Sequence, residues 1–439
     1  MLLPPSYPLQ ALRYREPALN LSRSFAPLRH RQFALLWTGA FVSNIGTWME
    51  TVGVGVLVTT ETGQAGWAGL VAAAGFVPTA FLAPIGGALA DRVPRRQLLL
   101  LTTAVQVGLA ALLTALTVAG TPSPGVVTLI VLAAGCSLAL GFPAYSAMLP
   151  DLVPRDDLPG AVALSSAQWN LGRVIGPALA GIVIKLGGYA WALGTNAASF
   201  FAVIVVLLTL RLPRPAVEPR GGLLASIADG ARFVRRDRGL RVNAIAMAMT
   251  TFVAAPFIAL VPAMALEVLH AGAGGTSVLV TAQGVGAVAM GLSVGPLAQR
   301  FGARRVLVGS LAVLGPALVV YAFAPSLPAS AIAIFVVGAA YLGAFASFTT
   351  IAQLRAPGHL RGRVLAVNMV LLGSLYPIGS LVQGAAGDAI GLRTTTAIAG
   401  ATIVGALLLV RVVQPHFADA IDAPTVLDVD AAEPLTGAR

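Results

Sequence analysis

Residues 86–96 read GGALADRVPRR, with one acid and three arginines packed into Asp91–Arg96 between two long apolar runs. So dense a charge cluster cannot lie in hydrocarbon, where an Asp or Arg at mid-bilayer costs at least ~2.5–3.5 kcal/mol. The stretch is therefore a short aqueous turn between two membrane helices. Its glycines let helix ends approach closely, and Asp91, Arg92, Arg95 and Arg96 offer a hydrogen-bonding lock at the water boundary. The pattern recurs 208 residues later as GPLAQRFGARR, 295–305, where Gly295, Leu297, Ala298, Arg300 and Arg304 stand for Gly87, Leu89, Ala90, Arg92 and Arg96. A signature repeated at half the chain length predicts two copies of one bundle.

Composition agrees. With 439 residues, 57% hydrophobic and only 10% charged, the chain has too little polar surface to cover a soluble globule, and lipid must solvate most of it. The net charge of +11 reads as basic cytoplasmic loops that orient membrane helices, with no nucleic-acid partner. The single cysteine, Cys136, lies in an apolar run and excludes disulfides and thiolate metal sites. His30, His270, His359 and His416 have no ligand spacing, and no G-x-x-x-x-G-K-[ST] stretch is present. No cofactor, metal or hydrolytic site is predicted, so the chain is not read as an enzyme and its energy source is an ion or solute gradient.

Apolar runs long enough to cross ~30 Å of hydrocarbon occupy 33–59, 67–90, 97–119, 126–148, 161–185 and 190–211, then 240–266, 276–299, 305–324, 329–352, 363–388 and 393–413. The expected fold is all-α and integral to the membrane: twelve transmembrane helices in two pseudo-symmetric six-helix bundles, 33–211 and 240–413. A tail over 1–32, a linker over 212–239 and a disordered tail over 414–439 complete the division. The turns at 60–66, 120–125, 267–275 and 325–328 hold no Lys or Arg, whereas the alternate turns hold nearly all the basic residues. The positive-inside bias then predicts a multi-pass plasma-membrane protein with both termini cytoplasmic. Within the linker, Leu224, Ile227, Ala231 and Val234 fall at helical spacing beside Arg232, Arg235 and Arg236, predicting an interfacial amphipathic helix.

These residues resemble the major facilitator superfamily over about 24–413. Its loop signature, G-x-L-A-D-R-x-G-R-R, is matched by Gly87, Leu89, Ala90, Asp91, Arg92, Arg95 and Arg96, with Pro94 in place of a glycine; the second copy has Gln299 in place of the acid. In the fifth run, Gly172, Gly176, Pro177 and Gly181 are similar to the superfamily's antiporter motif, with Ala180 for one glycine. Independently of any family, Gly172 and Gly176 at i, i+4 form a close-packing face and Pro177 bends its helix. The stretches 149–166 and 354–367 resemble the branch that contains the enterobactin and macrolide exporters. The resemblance implies alternating access, proton exchange, and a conformational latch from Asp91 to the arginine cluster and to the start of the eleventh helix near Arg361–Val364, where the helix dipole favours an anion.

Two charges lie well inside predicted helices, Glu50 and Arg173. On a helical wheel Ser43, Asn44, Thr47, Trp48, Glu50 and Thr51 fall within an arc of about 160°, with Trp48 and Glu50 at its two edges. Counted from the arginine-rich ends, Glu50 lies ~24 Å and Arg173 ~18 Å along its helix, an offset two long side chains can bridge. The expectation is that Glu50 binds the proton and Arg173 modulates it by charge; a static pair, or a solvated Glu50, is the bland alternative. Asn44, Trp48, Gln168, Trp169, Asn196, Gln283, Tyr341, Asn368 and Tyr376 are the cavity candidates, each of which could equally be interhelical glue. The reading is a monomeric secondary transporter surrounded by membrane lipids, carrying out proton-coupled efflux of a small molecule such as a drug or siderophore across a bacterial inner membrane. A lipid or lysophospholipid translocase, or a uniporter, on the same fold is the alternative, and a membrane receptor a third.

Overall fold

A computed structural model describes residues 25–210, 223–358, 360–413 and 418–422, and these are helical almost throughout. The expected amino tail up to residue 24, the first part of the linker, 211–222, and residues 414–417 and 423–439 lie outside the described residues. The long helices are α1 (Arg31–Thr62), α2 (Ala65–Arg92), α3 (Arg95–Ala119), α4 (Pro124–Leu152) and α5 (Leu158–Thr209). A shorter helix, α6 (Leu223–Arg236), leads to α7 (Arg238–Met249), α8 (Phe257–Ala263), α9 (Gly272–Phe301), α10 (Ala303–Phe323), α11 (Leu327–Arg355), α12 (Arg361–Ile390) and α13 (Leu392–Val413).

Twelve crossings follow from these elements. The 52 residues of α5 would span ~78 Å at 1.5 Å per residue, more than twice the hydrocarbon thickness. The helix is broken at Gly188 (φ 76, ψ −176), a conformation open essentially to glycine. The turn expected between the fifth and sixth runs is thus one residue. The seventh run is also less regular than its hydropathy suggested, because α7 and α8 are joined by a π turn at Thr250–Ala254 and followed by another at Met264–Val268. Pro256 has no N–H for the carbonyl one turn back. Gln383 of α12 fills the gap, its Nε2 donating to Phe252 O (3.3 Å) and Val253 O (2.7 Å).

In the amino half, α1 packs on α5, α2 on α4, and α3 on both α4 and α5; in the carboxy half α9 packs on α11, and α10 on α11 and α13. Two seams join the halves, α2 with α12 and α5 with α9. The 208-residue offset carries α2 onto α9 and the first limb of α5 onto the region of α12, so the two seams are copies of each other. Their close approaches lie from mid-span to the arginine-poor ends. A Cβ on Gly69 would stand 2.3 Å from Ser380 O, one on Gly373 2.8 Å from Ala80 Cβ, and one on Gly181 2.6 Å from Ser277 Oγ. At the other end, a Cβ on Gly87 or Gly295 would have nothing within 4 Å among the described residues. The halves therefore meet at the arginine-poor end and part toward the arginine-rich one.

Part of the tail expected to be disordered is folded. Ala418–Ile421 forms a 3-10 turn with Ala420 and Ile421 buried. Arg304, from the second copy of the loop signature, binds Asp419 and Asp422, so these tail acids bring negative charge to an arginine whose own signature carries Gln299. Nearby, Arg355 donates to both carboxylate oxygens of Asp237 (2.9 and 2.8 Å) and to Ile421 O (2.6 Å), while Asp237 caps α7 through Leu240 N (2.7 Å). Both partners are at least 90% buried, and breaking such a buried pair by removing the carboxylate costs ~3–5 kcal/mol. Asp237→Ala is expected to lower the Tm of the detergent-purified protein markedly; an unchanged Tm would contradict this assignment.

Candidate functional site

A cavity of about 180 Å³ lies inside the amino half, walled by α1, α3, α4 and both limbs of α5. Its polar lining includes Glu50, Asn44, Gln168 and Asn196, which were singled out in the sequence, together with Gln106 and Tyr145, which were not. Asn196 Nδ2 donates to Glu50 Oε2, Asn44 Nδ2 to Gln168 O (3.3 Å) and Tyr145 Oη to Gln168 Oε1 (3.3 Å). Gly172 and Gly176 make this assembly possible. A Cβ at Gly172 would lie 3.0 Å from Asn44 Cγ, and one at Gly176 would lie 2.5 Å from Trp48 Cβ and 2.7 Å from Ile45 O. The small-residue face of α5 thus draws α1 into backbone contact. Pro177 is buried on the same limb, and Gly181 faces α9 across the seam.

Glu50 and Arg173 do not form the ion pair their axial offset allowed. Their positions along the membrane are compatible, but their faces are not: Glu50 points into the amino half toward Asn196, whereas Arg173 lies over the Trp48 ring, 5.7 Å from Cζ to centroid. Trp48 and Glu50, two residues apart, leave a helix in nearly opposite directions. Trp169, 41% exposed, meets Trp48 edge-on at 5.9 Å and also lines the cavity, so it forms part of the wall between the two places.

The other five candidates stand outside the cavity. Trp48 is at the seam with Arg173. Tyr341 packs edge-on against Phe257 (5.9 Å), and Tyr376 against Phe76 (5.2 Å) across the α2–α12 seam. Gln283 and Asn368 are 2% and 3% exposed, with amide nitrogens that have no partner among the described residues.

The loop signature holds its own bundle together. Arg95 Nη1 donates to Ala147 O (2.8 Å) and Asp151 Oδ2 (2.7 Å), and Arg96 donates to Leu207 O (2.5 Å) and Leu208 O (2.9 Å). The start of α3 is thereby tied to the ends of α4 and α5. Arg92 is exposed. The close approach expected of the glycines occurs at Gly86, where a Cβ would meet Leu140 O at 2.6 Å, and not at Gly87. At the start of α12, Arg363 Nη1 donates to Asp229 Oδ2 of α6 (2.8 Å). Sequence reading also missed Asp388, near the end of α12. Its carboxylate accepts from Ala65 N (2.6 Å) and Gly66 N (2.9 Å), the first amides of α2 in the other half.

Comparison with known proteins agrees with this architecture. The model of the family described as transmembrane secretion effector matches residues 22–433. The multidrug efflux pump Tap of Mycobacterium tuberculosis is 30% identical over 385 residues, covering 81% of this chain and 88% of that protein. The enterobactin exporter EntS of Escherichia coli is 29% identical over 412 residues, covering 88% and 94%. Among solved structures, a bacterial homologue of the human lysosomal transporter Spinster, in an inward-facing and occupied conformation, superposes with a TM-score of 0.71 at 14% identity, over 90% of this chain and 97% of that one, a likeness of fold. The chain is a multi-pass membrane transporter of the major facilitator superfamily, not an enzyme, and belongs to its transmembrane secretion effector family, of the drug and siderophore exporter type.

Proposed function

We propose that this transporter exports a small organic molecule, of the drug or siderophore kind handled by Tap and EntS, in exchange for protons, by alternating access of a monomer. The observation that carries the proton assignment is the setting of Glu50. It lines a mostly apolar cavity, its hydrogen bond comes from a neutral amide, and among the described residues no cation is paired with it. A carboxylate charge held there without a counter-ion is costly, and protonation removes it. Alternating exposure of such a group to the two sides couples proton movement to the rocking of the bundles. Asn196 positions the carboxyl through its hydrogen bond. Arg173, turned away from Glu50, is not needed for this step.

The arginine-rich end faces the cytoplasm by the positive-inside bias, so the arrangement described above is the inward-open state, and Asp91 with Arg92, Arg95 and Arg96 marks the gate that closes in the opposite one. The 33–211 and 240–413 bundles are the rocking bodies.

The test is substrate-triggered proton movement in proteoliposomes holding a pH-sensitive dye, with lipophilic drugs and siderophores screened on wild type and Glu50→Gln. Export accompanied by proton flux that Glu50→Gln abolishes is the expected result. Solute movement without proton flux, or coupling that survives in Glu50→Gln, overturns the proton assignment and favours a uniporter; head-group-dependent lipid movement without a pH gradient favours a translocase.

A further inference from the structure

We infer that Arg173 is a binding site for the anionic group of the transported molecule, and that substrates of this protein are amphipathic organic acids: a carboxylate on an apolar body. The inference rests on the transporter reading above and names its substrate class. Arg173 lies near the middle of the first limb of α5, where the limb meets α9: a Cβ on Gly284 would stand 3.0 Å from Arg173 O. Among the described residues no carboxylate pairs with its guanidinium, and its Nε is buried without an acceptor. The surroundings supply rings and more donors. Trp48 lies under the guanidinium with its own Nε1–H buried and unpaired, and Trp169 stacks edge-on behind it.

Magnitudes decide what is missing. A guanidinium at mid-bilayer costs at least ~2.5–3.5 kcal/mol, and one cation–π contact returns ~0.5–2 kcal/mol. The remaining charge calls for an anion, and an arginine fork receives a carboxylate with two parallel bonds. Trp48 and Arg173 are donor-only groups whatever their rotamers, and among the described residues the Trp48 Nε1 and the Arg173 Nε find no acceptor. The rings around them suit the apolar body of such a ligand. Because Arg173 sits where α5 meets α9, an anion bound here lies at the seam between the two rocking bodies. Glu50, facing the separate cavity, is insulated from this charge by the body of α1.

The test uses the full detergent-purified chain and three matched probes: naphthylacetate, its neutral amide and naphthylethylammonium, with binding read by quenching of tryptophan fluorescence. Wild type is expected to bind the carboxylate at least tenfold more tightly than the amide, and the ammonium least. Arg173→Gln should erase the preference for carboxylate over amide, Arg173→Lys should keep part of it, and Trp48→Phe, which retains a ring but loses the N–H, should weaken carboxylate binding severalfold without affecting the amide. Equal affinities in wild type, a preference for the ammonium, or an Arg173→Gln protein that is folded and still selective would each overturn the inference. Displacement of naphthylacetate by phosphatidylglycerol but not phosphatidylcholine would overturn the assignment to a solute. Charge selectivity at equilibrium needs no proton coupling, so its presence without proton flux would defeat the antiport reading and leave this inference standing.

Discussion

Gly69→Val is expected to shift the protein out of the conformation described here and to slow transport. The added Cβ would stand 2.3 Å from Ser380 O and 3.1 Å from the carbonyl carbon. Both are backbone atoms, so the α2–α12 seam must part to accept it. Overpacking of this kind costs ~1–3 kcal/mol. Because only the state closed at the arginine-poor end bears that cost, the balance between the two states moves by ~5- to 150-fold. Spin labels at Thr121 and Pro325, exposed in turns at that end of each half, would report a longer distance. Gly87→Val is the mirror experiment. Among the described residues no atom lies within 4 Å of a Cβ there, so the present conformation accepts it unchanged. If rocking closes the arginine-rich end by bringing α2 onto α12 there, the new side chain obstructs only that closure. Transport then falls while the Thr121–Pro325 distance keeps its closed value. Were neither variant to move the distance or the rate, the seams would be fixed and alternating access about them would be wrong.

The fold was legible because its determinants are dense in the sequence. Twelve apolar runs, two copies of one charged turn and the asymmetry of the arginines depend only on composition and spacing, and lipid leaves the backbone little choice but helix. Gly188 shows where hydropathy blurs: an apolar turn of one residue leaves no polar interval to read. The interruption around Pro256 is visible as a proline, but the partner that heals it, Gln383, lies 127 positions away. The site divides in the same manner. Glu50, Asn44, Gln168 and Asn196 announced themselves as polar residues in apolar runs, and the structure gathers them in one cavity. Which face each presents is set by packing: the glycine face of α5 turns Trp48 toward Arg173 and leaves Glu50 to Asn196. An axial offset counted along two helices contains no information about that rotation. Asp388 was passed over for a similar reason. At the end of its run it reads as a boundary residue, because its partners are backbone amides that carry no sequence signal.

Asp388→Ala is expected to loosen the same seam from its outer end. An acid in the last turn of α12 opposes the dipole of its own helix, and the first turn of α2, whose Gln64 makes no side-chain cap, is where the charge is favourable. The contact with Ala65 N and Gly66 N therefore exists only while the halves are together. It is solvent-exposed, so two charge-assisted bonds that would be worth more when buried are taken here at ~1–2 kcal/mol, a factor of ~5–30 in the balance of states. The Thr121–Pro325 distance should lengthen in Asp388→Ala, and less in Asp388→Asn, which keeps one acceptor oxygen and loses the charge. An unchanged distance in Asp388→Ala would reduce the cap to a surface contact. The stronger test is the double variant. Gly66 and Gly87 are ~32 Å apart along α2, so effects at the two ends should add. Gly87→Val penalises one state and Asp388→Ala the other. Combining them should bring the balance back toward wild type and raise transport above that of Gly87→Val alone, although each substitution removes something from the protein. Recovery of that kind requires both ends of α2 to bias a single two-state motion; independent local damage would make the double variant slower than either parent.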